Sequence, residues 1–198
     1  MDCKWEFYVS PLQLDKIGGF IDSQGLTFTD QQDSPLYFIP FELSFCGNNG
    51  NIHFVYALNV PNDSNSFLVE KPVKAESLTN VGFKFNNNET YTNAERVEKF
   101  VKHIQLIVAE FVTPDKPYIA VRNPKLAHFL KVFKIKFVDF NSPFFNVPSL
   151  KQLDKEFMAS DTCEIHRHCP DRVFVCSKRK AAHYQSWINK CGKNKQNE

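Results

Sequence analysis

Between Asn93 and Phe111, the residues Val97, Phe100, Val101, Ile104, Val108 and Phe111 recur at three- and four-residue steps, so one helix would carry a continuous apolar face. Such a stripe has to lie on a partner surface. Thr92 and Glu95 stand at capping-box spacing ahead of the helix. Thr113-Pro114 closes it, because the residue before a proline is pushed out of the α region. Residues 118–121 (Tyr-Ile-Ala-Val) read as a short buried strand. Asn123-Pro124 opens a second helix through Leu126, Phe129, Leu130 and Phe133, with proline at its first position. Residues 136–140 form another strand, 149–158 a helix with Leu150, Leu153 and Phe157 on one side, and 177–188 a last helix. This alternation of helix and strand is the signature of an α/β protein.

The part upstream of the helix reads as β structure. Residues 37–43 form a strand interrupted by Pro40, which lacks a ladder donor and so implies an edge, a bulge or a late start at Phe41. The turn-rich Gly47-Asn48-Asn49-Gly50 follows. Residues 51–60 then alternate Ile52, Phe54, Tyr56 and Leu58 on one face, which completes a hairpin. Residues 66–69 and 81–85 are candidates for further short strands. Together these elements predict a mixed sheet with helices packed on its faces.

With 198 residues, 42% of them hydrophobic and 20 of them Phe, the chain suffices for one well-buried core. Seven Gly and 11 Pro exclude a collagen-like or linker-dominated chain. No apolar run has the length of a membrane span or of a signal-peptide core, so a membrane role is not expected. The expected compartment is the cytoplasm or nucleus, where cysteines are kept reduced.

The formal net charge of +2 excludes a polycation, yet it conceals an asymmetry. Residues 116–136 carry six bases and no acid, and residues 163–198 carry eight bases against three acids. The remainder is left at −9. Two basic segments flanking an acidic body suit phosphate binding by counterion release; ordinary solvated lysine faces are the plainer alternative.

Cys163, His166, His168, Cys169 and Cys176 fall within 14 positions. In a reducing compartment, a close Cys/His pair such as Cys163-x-x-His166 points to zinc before it points to a disulfide, because thiolate and imidazole are preferred zinc donors. The spacing fits neither a two-Cys two-His finger nor a ribbon. Spacing alone leaves the fourth ligand open, with buried thiols and surface histidines as the alternative. His168, Cys169, His183 and Cys191 are read as bystanders, and Cys3 and Cys46 have no identifiable partner.

Two stretches resemble the Maelstrom domain. One is Phe38-Ile39-Pro40-Phe41-Glu42-Leu43 with Asn59-Val60-Pro61 after it; the other is Cys163-x-x-His166 with Cys176 heading a Lys-rich helix. The resemblance implies an RNase H-like mixed sheet, related to DEDD exonucleases and flanked by helices, over residues 36–190. Residues 1–35 are then an extension too short for the HMG box of many members, and 191–198 a polar tail. It also implies one structural zinc on Glu42, Cys163, His166 and Cys176, which supplies the missing ligand. Against the exonuclease ancestry, Glu42-Leu43-Ser44 stands at the place of Asp-x-Glu, and Ala127 at the place of a later acid. Paired carboxylates for two magnesium ions are therefore lacking.

The function implied by the family is single-stranded RNA binding in the piRNA pathway of transposon silencing in the animal germline. The implied places are perinuclear granules and the nucleus, the partners other piRNA-pathway proteins, and no small-molecule cofactor is expected. Candidate RNA contacts are Arg122, Lys125, Lys131, Lys178 and Arg179. RNA cleavage without the exonuclease metals would need the 2′-OH and a general base, for which His128 is the single candidate; no catalytic residue is assigned. The competing readings are an inactive scaffold for protein partners, and a metal nuclease using acids such as Asp139.

Overall fold

A computed structural model describes residues 11–27, 38–55, 93–142, 145–157 and 176–194. After a short 3-10 helix at Pro11–Lys16 come strands β1 (Ile17–Thr27), β2 (Phe38–Gly47) and β3 (Ile52–Val55). Helix α1 (Asn93–Phe111), strand β4 (Tyr118–Val121), helix α2 (Pro124–Val132) and strand β5 (Phe137–Asp139) follow, and helices α3 (Leu150–Glu156) and α4 (Ser177–Asn194) complete the chain. The five strands form a mixed sheet in the order β3-β2-β1-β4-β5. β2 runs antiparallel to β1 and β3, whereas β1, β4 and β5 are mutually parallel.

The central strand comes from the segment expected to be an N-terminal extension, which is the main correction to the sequence reading. β1 (Ile-Gly-Gly-Phe-Ile-Asp-Ser-Gln-Gly-Leu-Thr) is rich in residues that strands disfavour, and a strand covered on both faces shows no apolar–polar alternation. Its glycines are steric requirements. A Cβ on Gly18 would lie 2.4 Å from the Phe111 carbonyl oxygen, and one on Gly19 would lie 2.1 Å from the Phe45 ring. Side chains would hold the neighbouring strand and helix away.

The expected hairpin is present as β2 and β3, with the turn closed by a Gly50 N–H bond to the Gly47 carbonyl at 2.9 Å. Of the alternatives for Pro40, the structure shows an irregularity of the bulge kind in the β1–β2 ladder. Pro40 is accommodated because it pairs with Gly25, where the β1–β2 register shifts. Residues 66–69 and 81–85, and the Thr92 half of the capping box, lie outside the described residues. α1 has the expected bounds. For α2, Asn123 Oδ1 accepts from the N–H groups of Lys125 and Leu126, at 3.0 and 3.4 Å. Ser149 and Gln152 form a capping box on α3. α4 continues past the expected end at 188 into the segment read as a tail.

Alternation along the strands sorts the interior into two layers. Ile21, Leu43, Phe45, Ile119 and Val121 face α1 and α2, where Phe100, Ile104, Leu126 and Phe129 meet them. Phe20, Cys46, Ala120 and Val138 face the other way, against Leu153 of α3 and Ala181, Tyr184 and Ile188 of α4. Among the described residues no helix is long and apolar enough to cross a membrane.

Candidate functional site

The register of β1 and β2 sets three pairs in a row on the α4 face: Phe20 opposite Cys46, Asp22 opposite Ser44, and Gln24 opposite Glu42. The row turns from apolar to polar along the strands, and α4 lies over it with its N-terminus above the polar end. Asp22 is 3% exposed and Glu42 is 0% exposed, so neither carboxylate can rely on water. Each has found a partner on α4.

Glu42 caps the helix from a different element. Its Oε1 accepts from the Ser177 backbone N–H at 3.2 Å and from the Ser177 hydroxyl at 2.5 Å. Ser44 Oγ lies 2.8 Å from Ser177 Oγ and extends the chain of hydrogen bonds. A carboxylate at this place meets orphan N–H donors and the positive end of the helix dipole together. One turn further along, Lys180 Nζ lies 3.3 Å from Asp22 Oδ2. Burial pushes the Asp22 carboxyl above its ordinary range, against the attraction of Lys180. Burial also works to lower the Lys180 ammonium, but the charge and hydrogen bond of Asp22, with the charge of Glu42, outweigh it and hold that group above its ordinary value.

Two of the four expected zinc ligands, Glu42 and Cys176, lie on elements that meet here. Cys176, fully buried, immediately precedes the serine that binds Glu42. Strand and helix start thus meet across more than a hundred residues of chain. Cys163 and His166 lie outside the described residues, and among the described residues no group of three His, Cys, Asp or Glu could hold a metal ion. The two residues that are described fit zinc chemically, as one oxygen and one sulfur donor, with the carboxylate oriented by the kind of hydrogen bond that supports ligating carboxylates elsewhere.

The five candidate RNA contacts do not form one free surface. Lys125 and Lys131 are exposed on α2, while Lys178 is half-buried. Arg122 donates from Nη1 to the Pro148 carbonyl at 2.5 Å and to the Tyr184 hydroxyl at 2.6 Å, with its guanidinium carbon 5.3 Å from the Tyr184 ring centre. Arg179 donates to Asp154 Oδ1 from Nε at 3.1 Å and lies 2.6 Å from it through Nη2. Both arginines tie α4 to its surroundings. Lys134 and Lys136 add exposed charge next to α2.

His183 Nε2 also lies 2.9 Å from Asp154 Oδ1. His183 is 1% exposed, and burial lowers its pKa below the ordinary value; the pull of Asp154 opposes this and the nearby Arg179 charge assists it. The sequence reading set His183 aside; it lies buried on α4 against Asp154 of α3. His128, the candidate base, is half-buried on α2 beside the buried Ala127. Asp139 Oδ1 accepts from the backbone and side-chain amides of Asn141, at 2.9 and 2.8 Å.

Asp22, Gln24 and Lys180 are the site residues that the sequence reading missed as a group. The available signal was Phe20-Ile21-Asp22-Ser23-Gln24, an apolar pair followed by an acid and an amide two residues apart, in a segment not recognised as a strand. No family model matches the chain, and neither a curated protein nor a solved structure is found to be similar to it.

Proposed function

We propose that this chain is an RNase H-like domain of the Maelstrom type that binds single-stranded RNA and performs no two-metal phosphoryl chemistry. The strand order β3-β2-β1-β4-β5, with β2 alone reversed against the rest, is that of an RNase H-like sheet and supports the fold assignment. The observation that carries the functional reading is the state of the buried acids. Asp22 faces the Lys180 ammonium and Glu42 faces the Ser177 donors. Two-metal catalysis needs carboxylates gathered around two divalent ions, and this donor set does not fit such a pair. Asp22-x-Gln24, on the central strand, is a closer counterpart of an Asp-x-Glu pair than Glu42-x-Ser44, and it carries an amide where the second acid would stand.

RNA binding rests on the acid-free stretch around α2, where Lys125, Lys131, Lys134 and Lys136 are exposed together. A structural zinc on Glu42, Cys163, His166 and Cys176 belongs to the same reading and would contribute folding free energy by tying the start of α4 to β2. The test is fluorescence anisotropy with a labelled single-stranded RNA over a salt series. The double variant Lys125→Glu/Lys131→Glu should bind about tenfold more weakly and with a salt slope smaller by roughly two. Unchanged affinity and slope would remove the RNA assignment. Hydrolysis that depends on magnesium would remove the catalytic half of the reading.

A second reading, a non-catalytic scaffold for protein partners, draws on two observations. Arg122 and Arg179 are committed to internal contacts, and Leu106 stands 67% exposed in the middle of α1. It predicts no salt-dependent RNA affinity at all.

A further inference from the structure

Helix α2 ends in a turn that glycine most often completes. Phe133 is its C-cap, the Lys134 N–H bonds the Lys131 carbonyl at 3.1 Å, and the Ile135 N–H bonds the Leu130 carbonyl at 2.9 Å. This paired closure puts the residue after the cap in the left-handed conformation. Lys134 adopts it, with φ at 56°, and among the described residues it is the one non-glycine residue with positive φ. A side chain there brings Cβ close to a backbone carbonyl oxygen, a crowding that glycine escapes. Ile135 packs against the same core as Leu130, so the turn is anchored and the backbone cannot relax.

The ending of the helix does not account for a lysine at this place. Its side chain is exposed, and Lys131 already sets a positive charge in the last turn, at the negative end of the helix dipole. Among the described residues Lys125, Lys131, Lys134 and Lys136 form no ion pair, whereas Lys102, Lys180 and Lys190 each lie against a carboxylate. An unpaired cation on a strained backbone is a feature that functional sites retain. Lys131, Lys134 and Lys136 follow one another from the last turn of α2 to the start of β5, all exposed and with no acid between them.

We infer that Lys134 is held in this conformation as a contact to a backbone phosphate of the RNA strand, flanked by Lys131 and Lys136, and that the contact is blind to base sequence. Phosphate contacts position a strand, and base contacts specify it. The inference rests on the RNA-binding reading and deepens it by naming the residue and the part of the strand it holds.

The experiment uses the full chain with Lys134→Gly and Lys134→Arg. It measures melting temperature, and fluorescence anisotropy on labelled oligo-U and a mixed-sequence single-stranded RNA over a salt series. Lys134→Gly relieves the backbone and should raise the melting temperature by about 2–4 °C. It should weaken binding about threefold on both RNAs and reduce the salt slope by roughly one. Lys134→Arg keeps the charge and should bind as the wild type does. A glycine variant that melts no higher than the wild type overturns the inference, because the lysine is then not held against a cost. A loss confined to one of the two RNAs, or an arginine variant as weak as the glycine variant, overturns it too. If Lys134→Gly binds normally while Lys125→Glu/Lys131→Glu does not, the inference fails and the RNA reading stands. If neither binds more weakly, both fall.

Discussion

The two faces of the sheet are built by the same strands and differ in what they bury. On the α1–α2 face, alternate residues of β2 and β4 are apolar with Ile21 of β1 between them, and rings interlock: Phe129 meets Phe38, Phe100 and Phe133 at centroid distances of 6.1, 5.2 and 4.6 Å. On the α4 face the row begins equally apolar, with Phe20 4.8 Å from the Tyr184 ring, and ends in Asp22, Gln24, Glu42 and Ser44. An apolar face stabilises in proportion to the area it removes from water. A buried ion pair returns little net stability, and apolar residues of similar size would serve the fold as well or better. The contrast teaches that burial of apolar area holds the first face, while the polar end of the second is held by a helix cap and an ion pair between particular residues.

Substitutions on each face can break or sharpen that contrast. The largest effect is expected on the apolar face, where Phe129→Ala leaves a cavity among three rings and should cost about 3–5 kcal/mol in denaturant unfolding. A loss no larger than that of a surface substitution would mean this layer does not hold the sheet. On the polar face, Ser177→Ala removes the hydroxyl bonded to Glu42 Oε1 and should cost about 1–2 kcal/mol, in the range of a lost N-cap. A neutral result would detach Glu42 from the start of α4.

The smallest effect concerns pH at the α3–α4 contact. Burial holds His183 below its ordinary pKa of 6.5, so the unfolded chain takes up that proton first as pH falls. Its contribution is therefore fully present above that value and declines as pH drops through it. Melting temperatures measured between neutral and mildly acidic pH should fall for the wild type. They should fall less for His183→Gln, whose side chain cannot become charged. Parallel curves for the two proteins would remove His183 as the source.

Much of the fold was legible because it is encoded locally. The stripe of α1, the Asn123-Pro124 start of α2, the Ser149 cap and the Gly47–Gly50 turn each depend on residues a few positions apart. β1 was not legible, since its glycines and central polar residues make sense only against Phe45, Phe111, Ser44 and Lys180, none of which is near it in sequence. In the candidate site, Cys176 was singled out by its place in the Cys/His cluster and Glu42 through a resemblance, and their elements meet at Ser177. Arg122 and Arg179 looked like surface charges, because side-chain type gives no sign of Tyr184 or Asp154 waiting beside them.

By itself, then, the order of residues determined that helices and strands alternate, where most of them start and stop, and that positive charge gathers around α2. Local propensity and capping act over a few bonds and do not need the rest of the molecule. Only the tertiary structure decided which strand is central, that Asp22 stands within reach of Lys180, and that a glutamate of β2 caps the final helix. Those facts depend on strand order and register, and register is fixed when whole faces are buried against one another.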